Sequence, residues 1–389
     1  MDEHVVGLEE LGRASVNQAG AKGALLGEVL ARGVPVPKGF CLTTVAYEHF
    51  LQVSGVGEAA TAFHALPPGP EAAAAAEAIN ARISEAAIPP EVAFSLSTVY
   101  RELGQRPRVA VRPSLAYEGL LRSPVSGHLE PHLNVSGEKD LFQAVRDMWA
   151  LIWQAAVIAA CQRGGIDHAR LRPAVLIQLM IHPVCSGTIY TADPGTGDRD
   201  RLVITAFWGM GPGMSGQSIP DTYHVDRRTM TLRYKRIVPK EVMVSANGVV
   251  PVPKNRRNSV VLKDAAIRDL CAMAINVEQI IAEPAEIAWC TVTGNRTMVL
   301  EALPVGEVES FPDEESVHAT AAARDAGVDV DAAGDADASD DLDAAGGPDA
   351  SGDLDVAGDP DASGDPDTAP DDAAAGANGA GGAEWLRSD

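Results

Sequence analysis

The chain has 389 residues, 46% of them apolar, which is enough for a large core spread over two or three domains, and a formal net charge of -23. The acidity is local: 22 of the 54 Asp and Glu and only 2 of the 31 Lys and Arg lie from Pro312 onward, leaving 32 acids against 29 bases in residues 1–311. A near-neutral folded part with no aromatic-interleaved basic stripe argues against nucleic acid as a partner. The lack of any run of about 18 apolar residues argues against a membrane span.

The N-terminal stretch MDEHVVGLEELGRA is acidic and has no signal-type apolar core. Residues 21–32 have the pattern of a helix whose Leu25, Leu26, Val29 and Leu30 share an apolar face, stopped by Gly33, Pro35 and Pro37. Lys22 sits at its start, where a lysine either points along the helix N-terminus toward an anion or is solvated. Thr44 is placed to cap a short helix through Leu51, and residues 70–87 form a second, Ala-rich helix. Residues 108–112 read as a strand ending in Arg112. Residues 139–162 read as one long helix with Leu141, Val145, Met148, Ile152, Ala155 and Ala159 on its inner face.

Three β-rich runs follow, at 174–181, 187–191 and 202–207. Read as consecutive strands of one sheet, they deliver the loop Trp208-Gly209-Met210-Gly211 to its edge. Such a loop either brings backbone close to a phosphate or simply turns the chain. Residues 240–264 form a polar connection whose Lys254, Arg256 and Arg257 read as a solvated basic run. A helix over 265–281 leads to a hairpin of 286–292 and 297–305, turning at Thr293-Gly294-Asn295-Arg296. The five cysteines, Cys41, Cys161, Cys185, Cys271 and Cys290, show no metal-ligand or redox spacing, which fits buried free thiols in a reducing cytosol and a cytoplasmic protein. From about 312 to 382 the chain is Asp, Ala, Gly, Pro and Ser with a loose repeat, PDASGDLDVAGD and PDASGDPDTAPD. It lacks the apolar side chains that would offset ordering entropy, so a disordered acidic tail is expected.

Several of these stretches carry a resemblance. GAKGALLGEVLARGVPVPKGFCLTT, VRPS, SGHLEPHLNV, SGTIYTADPGTGDRDRLVITAFWGMG and PDTYHVD occur in the order found in the nucleotide-binding domain shared by phosphoenolpyruvate synthase, pyruvate phosphate dikinase and rifampicin phosphotransferase. The resemblance runs from about Val16 to about Pro304. It implies an α+β chain of the ATP-grasp fold: residues 1–311 as two lobes around a nucleotide cleft, then 312–389 as the disordered tail. It further implies ATP, with Lys22 and Arg112 on the phosphates, Gln178, Met180 and Ile181 at the adenine and Gly127 also in the ATP site; Glu130 and Asn134 are likewise kept from the family pattern.

The final hairpin departs from that pattern. Where the family has Asp-Ile-Glu-Trp and Gln-Ala-Arg-Pro, this chain has Glu286-Ile287-Ala288-Trp289 and Glu301-Ala302-Leu303-Pro304. The metal-binding Glu becomes Ala288, its partner Gln becomes Glu301, and the phosphate-binding Arg becomes Leu303. Thr205 and Pro212 also stand where the family often has Glu. One carboxylate, Glu301, therefore remains for Mg2+, which at nucleotide sites uses one or two carboxylates with phosphates and water. Two functions stay open from sequence: a phosphotransferase component that passes phosphate from ATP to a histidine on a separate phosphohistidine-domain protein, or a catalytically degenerate nucleotide-binding regulator. Ser316-Val317-His318-Ala319 superficially resembles the phosphohistidine motif but lies in the low-complexity segment.

Overall fold

The structure is a computed structural model that describes residues 3–116, 131–211, 219–245 and 248–305. The expected boundary at 311/312, the tail, Gly127, Glu130, Pro212 and the Ser316–Ala319 motif lie outside these residues.

The first lobe runs β1 (Val5–Gly7), α1 (Val16–Ala31), β2 (Gly39–Leu42), α2 (Thr44–Ser54), α3 (Val56–His64), α4 (Pro70–Glu85), α5 (Pro90–Glu102), β3 (Arg108–Leu115), β4 (His132–Ser136), α6 (Glu138–Ala150), α7 (Ala155–Arg163) and β5 (Pro173–Leu179). Its five strands form an antiparallel sheet in the order β1-β2-β5-β3-β4. Side chains alternate across a strand, and both faces are covered. Val109, Val111, Val175 and Ile177 enter a core with α2 to α7, whereas Cys41, Ala174 and Leu176 enter a second core with Leu25, Leu26 and Val29 of α1. That parity puts Ala110, Arg112 and Gln178 on the α1 face, and the register Ala110↔Gln178 and Arg112↔Leu176 sets them side by side.

The second lobe contains β6 (Cys185–Tyr190), β7 (Arg201–Trp208), β8 (Asp221–Asp226), β9 (Thr231–Arg236), the hairpin β10 (Val242–Ser245) and β11 (Gly248–Pro251), α8 (Asp264–Ile281), β12 (Ala285–Val292) and β13 (Arg296–Pro304). Six of these strands form a sheet in the order β13-β12-β6-β7-β8-β9, with β10 and β11 paired apart. Buried Ile267, Leu270, Ala274 and Val277 of α8 join Ile189, Ile204, Ile287 and Trp289 in the second core. All five cysteines are buried and free. Among the described residues no single helix is long and apolar enough to cross a membrane.

Four sequence expectations are corrected. The runs at 174–181, 187–191 and 202–207 do not share a sheet: β5 sits in the first and β6 and β7 in the second, because the chain leaves one lobe for the other at residues 180–184. The long helix over 139–162 is two helices bent by 41° about a 3-10 turn at Leu151–Trp153. Trp153, at the end of that turn, is buried and its indole Nε1 donates to the Tyr47 hydroxyl, while beyond the bend Ala155 is exposed and Ala159 only half-buried. The cap of α2 is Thr43, and Thr44 is the first helical residue, its hydroxyl donating to the Asn17 carbonyl. In the connection at 240–264 Lys254 and Arg256 of the basic run are exposed, but the segment is not a polar connection throughout. It contains β10 and β11 and a buried Lys240, and Arg256 stacks over Trp208 at 5.3 Å.

Candidate functional site

Three elements bring charge together where the lobes meet. Gly20 interrupts α1 with φ 69°, a conformation that L side chains disfavour. A side chain there would also collide with the Ser114 carbonyl, 2.2 Å from the position of its first carbon. Ser114 fastens the break, its hydroxyl donating to Ala19 O at 2.7 Å and accepting from Gly23 N at 3.1 Å. The regular helix thus restarts at Ala21, and Lys22 stands in its first turn, as the sequence indicated.

Lys22 Nζ lies 2.6 Å from Glu301 Oε1 on β13. Arg112, at the cleft face of β3, has Nη1 3.8 Å from Glu301 Oε2 and donates to the Leu300 carbonyl at 3.0 Å, bridging the two sheets. Burial pushes the Glu301 carboxyl up, but Lys22 and Arg112 outweigh it and hold the group below the usual carboxylate range. Glu286 goes the other way. It is half-buried, and desolvation first and the charge of Glu301 second raise its pKa, opposed by the hydrogen bond that it accepts from the Tyr190 hydroxyl at 3.2 Å and by Lys22.

The strand register explains the floor of the site. Glu301 pairs with Ala288, Ala288 with Thr188 and Thr188 with Thr205, so one row of side chains crosses β13, β12, β6 and β7. Glu301 is the one carboxylate in that row. The next row on the same face pairs Leu303 with Glu286 and Glu286 with Tyr190, and Leu303 packs against the second core.

Beside this cluster a cavity of about 380 Å³ lies between the two sheets, within the range of roughly 300–1,000 Å³ typical of small-molecule sites. Arg112, Gln178, Met180, Ile181, Thr205 and Ala288 line it, with Ala110, Leu133, Phe207 and Cys290 completing largely apolar walls. Gln178 is buried and its Nε2 has no partner, and Arg112 Nε is likewise buried and unpaired. Buried polar atoms are rarely left so. Here they belong to residues that border open space, and a ligand with acceptor atoms would satisfy them. Met180 N donates to Arg108 O at 2.8 Å, which holds the start of the interlobe segment against β3.

The Gly-rich turn behaves as a turn as far as it is described. Gly209 N donates to Val184 O, Met210 N to Val244 O and Gly211 N to the Ser186 hydroxyl, so all three amides are used within the protein. Gly209 has φ 71° and bridges to Val244 of β10.

The structure brings together Lys22, Arg112 and Glu301, and separately Arg112, Gln178, Met180 and Ile181. Sequence reasoning missed Ala110, Leu133, Phe207, Cys290 and Leu300, which read as ordinary core residues, and only the cross-strand register reveals them as cleft wall. A larger cavity of about 850 Å³ lies between the start of α8 and the β12–β13 turn, and gathers none of the expected residues.

Comparison with known proteins gives this cleft a context. A probable phosphoenolpyruvate synthase of Methanocaldococcus jannaschii is 30% identical over 331 residues, covering 80% of this chain and 28% of that protein. A rifampicin phosphotransferase of a Streptomyces species is 31% identical over 295 residues, covering 74% of this chain and 34% of that protein. This chain therefore spans about a third or less of the length of these two relatives. Among solved structures, a D-alanine-D-alanine ligase from Coxiella burnetii superposes over 79% of this chain and 54% of that one at 11% identity, with a TM-score of 0.29, too low to carry an argument. The family profile "Pyruvate phosphate dikinase, AMP/ATP-binding domain" matches residues 16–322, most of the chain, and the protein belongs to that family.

Proposed function

We propose that this protein binds ATP between its two sheets in the manner of the ATP-grasp fold, with Gln178, Met180 and Ile181 toward the adenine and Lys22 and Arg112 toward the phosphates. One observation carries the reading. Arg112, Gln178, Met180 and Ile181 line a single cavity of about 380 Å³, and Lys22 is tied to Arg112 through their shared partner Glu301. The unpaired Gln178 Nε2 and Arg112 Nε supply the donors that a nucleotide's acceptor atoms need.

Magnesium also suits these residues, provided that it arrives on the nucleotide. Among the described residues no group of three His, Cys, Asp or Glu side chains is placed to hold a metal. Nucleotide-borne magnesium needs only one or two protein carboxylates, the rest of its shell being phosphate and water. Glu301 is such a carboxylate, and the ion would offset phosphate charge.

In the first reading of the chemistry, phosphate passes from ATP to a histidine on a separate protein, a role consistent with relatives named phosphoenolpyruvate synthase and rifampicin phosphotransferase. The second reading is a non-catalytic nucleotide-binding regulator, and the hairpin favours it. The row across β13, β12, β6 and β7 holds one carboxylate, that carboxylate faces both cations, and Leu303 offers no charge to a moving phosphoryl group, where a positive side chain is worth roughly a thousandfold or more in rate.

Calorimetric titration of the full chain with ATP and magnesium tests the binding. Absence of any heat at millimolar ATP rejects the reading. Phosphate transfer to a supplied histidine-domain protein then decides between phosphotransferase and regulator.

A further inference from the structure

The last residue of α3, His64, meets His168, which opens the 3-10 turn His168–Arg170 just ahead of β5. His64 Nε2 lies 3.2 Å from His168 Nδ1, and the other ring nitrogen of His168, Nε2, lies 2.7 Å from the Ile152 carbonyl oxygen. A carbonyl only accepts, so His168 Nε2 carries the proton and donates it, and in the neutral ring Nδ1 is left as a lone pair facing His64. A histidine that ligates a metal is held in this way, its outer nitrogen donating to a backbone carbonyl. Two imidazole nitrogens set at the tetrahedral angle around one zinc, each about 2.0–2.1 Å from it, stand about 3.3 Å apart. The separation between His64 and His168 is close to that. His64 is exposed and His168 half-buried, so an ion can reach them from solvent.

The surroundings suit a cation of the kind imidazole prefers. Asp167 exerts its negative charge on both rings, and Arg172, which opposes it at His64, is itself paired with Glu48 at 3.2 Å. Phe63 and Trp153 flank the pair, with ring centroids between 4.9 and 5.7 Å from those of the imidazoles. Both are buried, and Trp153 Nε1 donates to the Tyr47 hydroxyl, so this apolar wall is fixed in place. A second pair, His4 and His49, shows the same 3.2 Å contact, but its rings are stacked at 27°. Their lone pairs lie in nearly parallel planes and do not converge, whereas the rings of His64 and His168 are inclined at 53°. We propose that His64 and His168 form a two-imidazole site for a borderline divalent metal ion of the zinc class, with water completing the shell, that ties the end of α3 to the approach of β5. The tie would span 104 residues of sequence. Nitrogen ligands select against magnesium, which prefers oxygen. The site shares no residue with the nucleotide cleft and stands whether or not ATP binds there.

Titration of the full chain with Zn2+ against a chromophoric chelator, with magnesium present throughout, tests the proposal. Both His64→Ala and His168→Gln are expected to weaken zinc binding about tenfold or more, and His49→Gln is expected to leave it unchanged. At zinc a hundredfold above its Kd the unfolding midpoint of the wild type should rise by roughly 5–10 °C, and that of His64→Ala should not follow it. Because His64 is exposed, His64→Ala keeps the test decisive even if His168→Gln fails to fold. Zinc binding by the wild type no tighter than by a folded His64→Ala overturns the proposal. So does an affinity that survives in His64→Ala and disappears in His49→Gln, which would assign the ion to the other pair.

Discussion

Replacing Asp221 by Asn puts the greatest strain on this account of how the cleft is supported. Asp221 Oδ1 lies 2.5 Å from Lys240 Nζ, with side-chain exposures of 0% and 1%. Asp221 also accepts from Val261 N at 2.8 Å, Val238 N at 3.3 Å and the Tyr223 hydroxyl at 3.2 Å. Asparagine keeps the size and part of the accepting capacity but leaves Lys240 charged, buried and without its anion. Breaking a buried pair from one side costs about 3–5 kcal/mol, because the desolvation of the remaining charge is no longer offset. At roughly 2–4 °C per kcal/mol for a domain of this order of size, the melting temperature should fall by roughly 6–20 °C. The effect reaches the site through β10, since Val244 O accepts from Met210 N beside the cleft. Thermal unfolding by circular dichroism measures the loss, and hydrogen exchange at the Val238 and Val261 amides reports where it starts. The double variant Asp221→Asn with Lys240→Met removes the stranded charge and should recover much of the stability, a non-additive result. A single-variant cost below about 1 kcal/mol, or strict additivity in the double variant, would refute the reasoning.

Three further outcomes follow from the same geometry. Gly20→Ala forces a side chain into φ 69° against the Ser114 carbonyl, costing at least about 1–3 kcal/mol. Because it displaces the turn that carries Lys22, ATP affinity should fall more than adenosine affinity, and equal losses for both would count against Lys22 as a phosphate contact. Glu286 has its pKa raised from 4.5, by burial first and by Glu301 second, with Lys22 opposing and Tyr190 donating to it. The folded state therefore holds this proton more tightly than the unfolded state does. Stability is favoured below pH 4.5 and declines as pH rises from there through the raised folded value. Glu286→Gln should raise the melting temperature at pH 7 with a gain that shrinks toward zero below pH 4.5, and a pH-independent gain would show that titration is not its source. Restoring Ala288→Glu together with Leu303→Arg should raise ATP-dependent phosphate transfer if the hairpin is what limits it. An ATP-binding double variant with no gain in transfer would show that the limit lies elsewhere.

Much of the organisation was legible along the chain because it depends on local or periodic features. The apolar face of α1 and its stop at Gly33, the helix before the final hairpin and the hairpin itself all follow from side-chain period and turn residues that neighbours in sequence already supply. So did the position of Lys22, since Gly20 can adopt the backbone that restarts the helix just ahead of it. The misreadings arose where a partner distant in sequence overrides the local pattern. Residues 139–162 look like one amphipathic helix until Trp153 is drawn inward to donate to Tyr47, and residues 240–264 look like a polar connection until Lys240 meets Asp221 in the interior.

The sequence alone determined which residue types are present: two cations, one carboxylate at position 301, and alanine and leucine where charge is expected. Only the tertiary structure decided what they face. Strand register, which no stretch of chain contains by itself, sets Glu301 beside Ala288 and in line with Thr188 and Thr205. The approach of α1 and β3 to β13 turns that carboxylate into the partner of both Lys22 and Arg112. A charge has meaning only through its distance to other charges, and those distances are fixed when separate elements pack together.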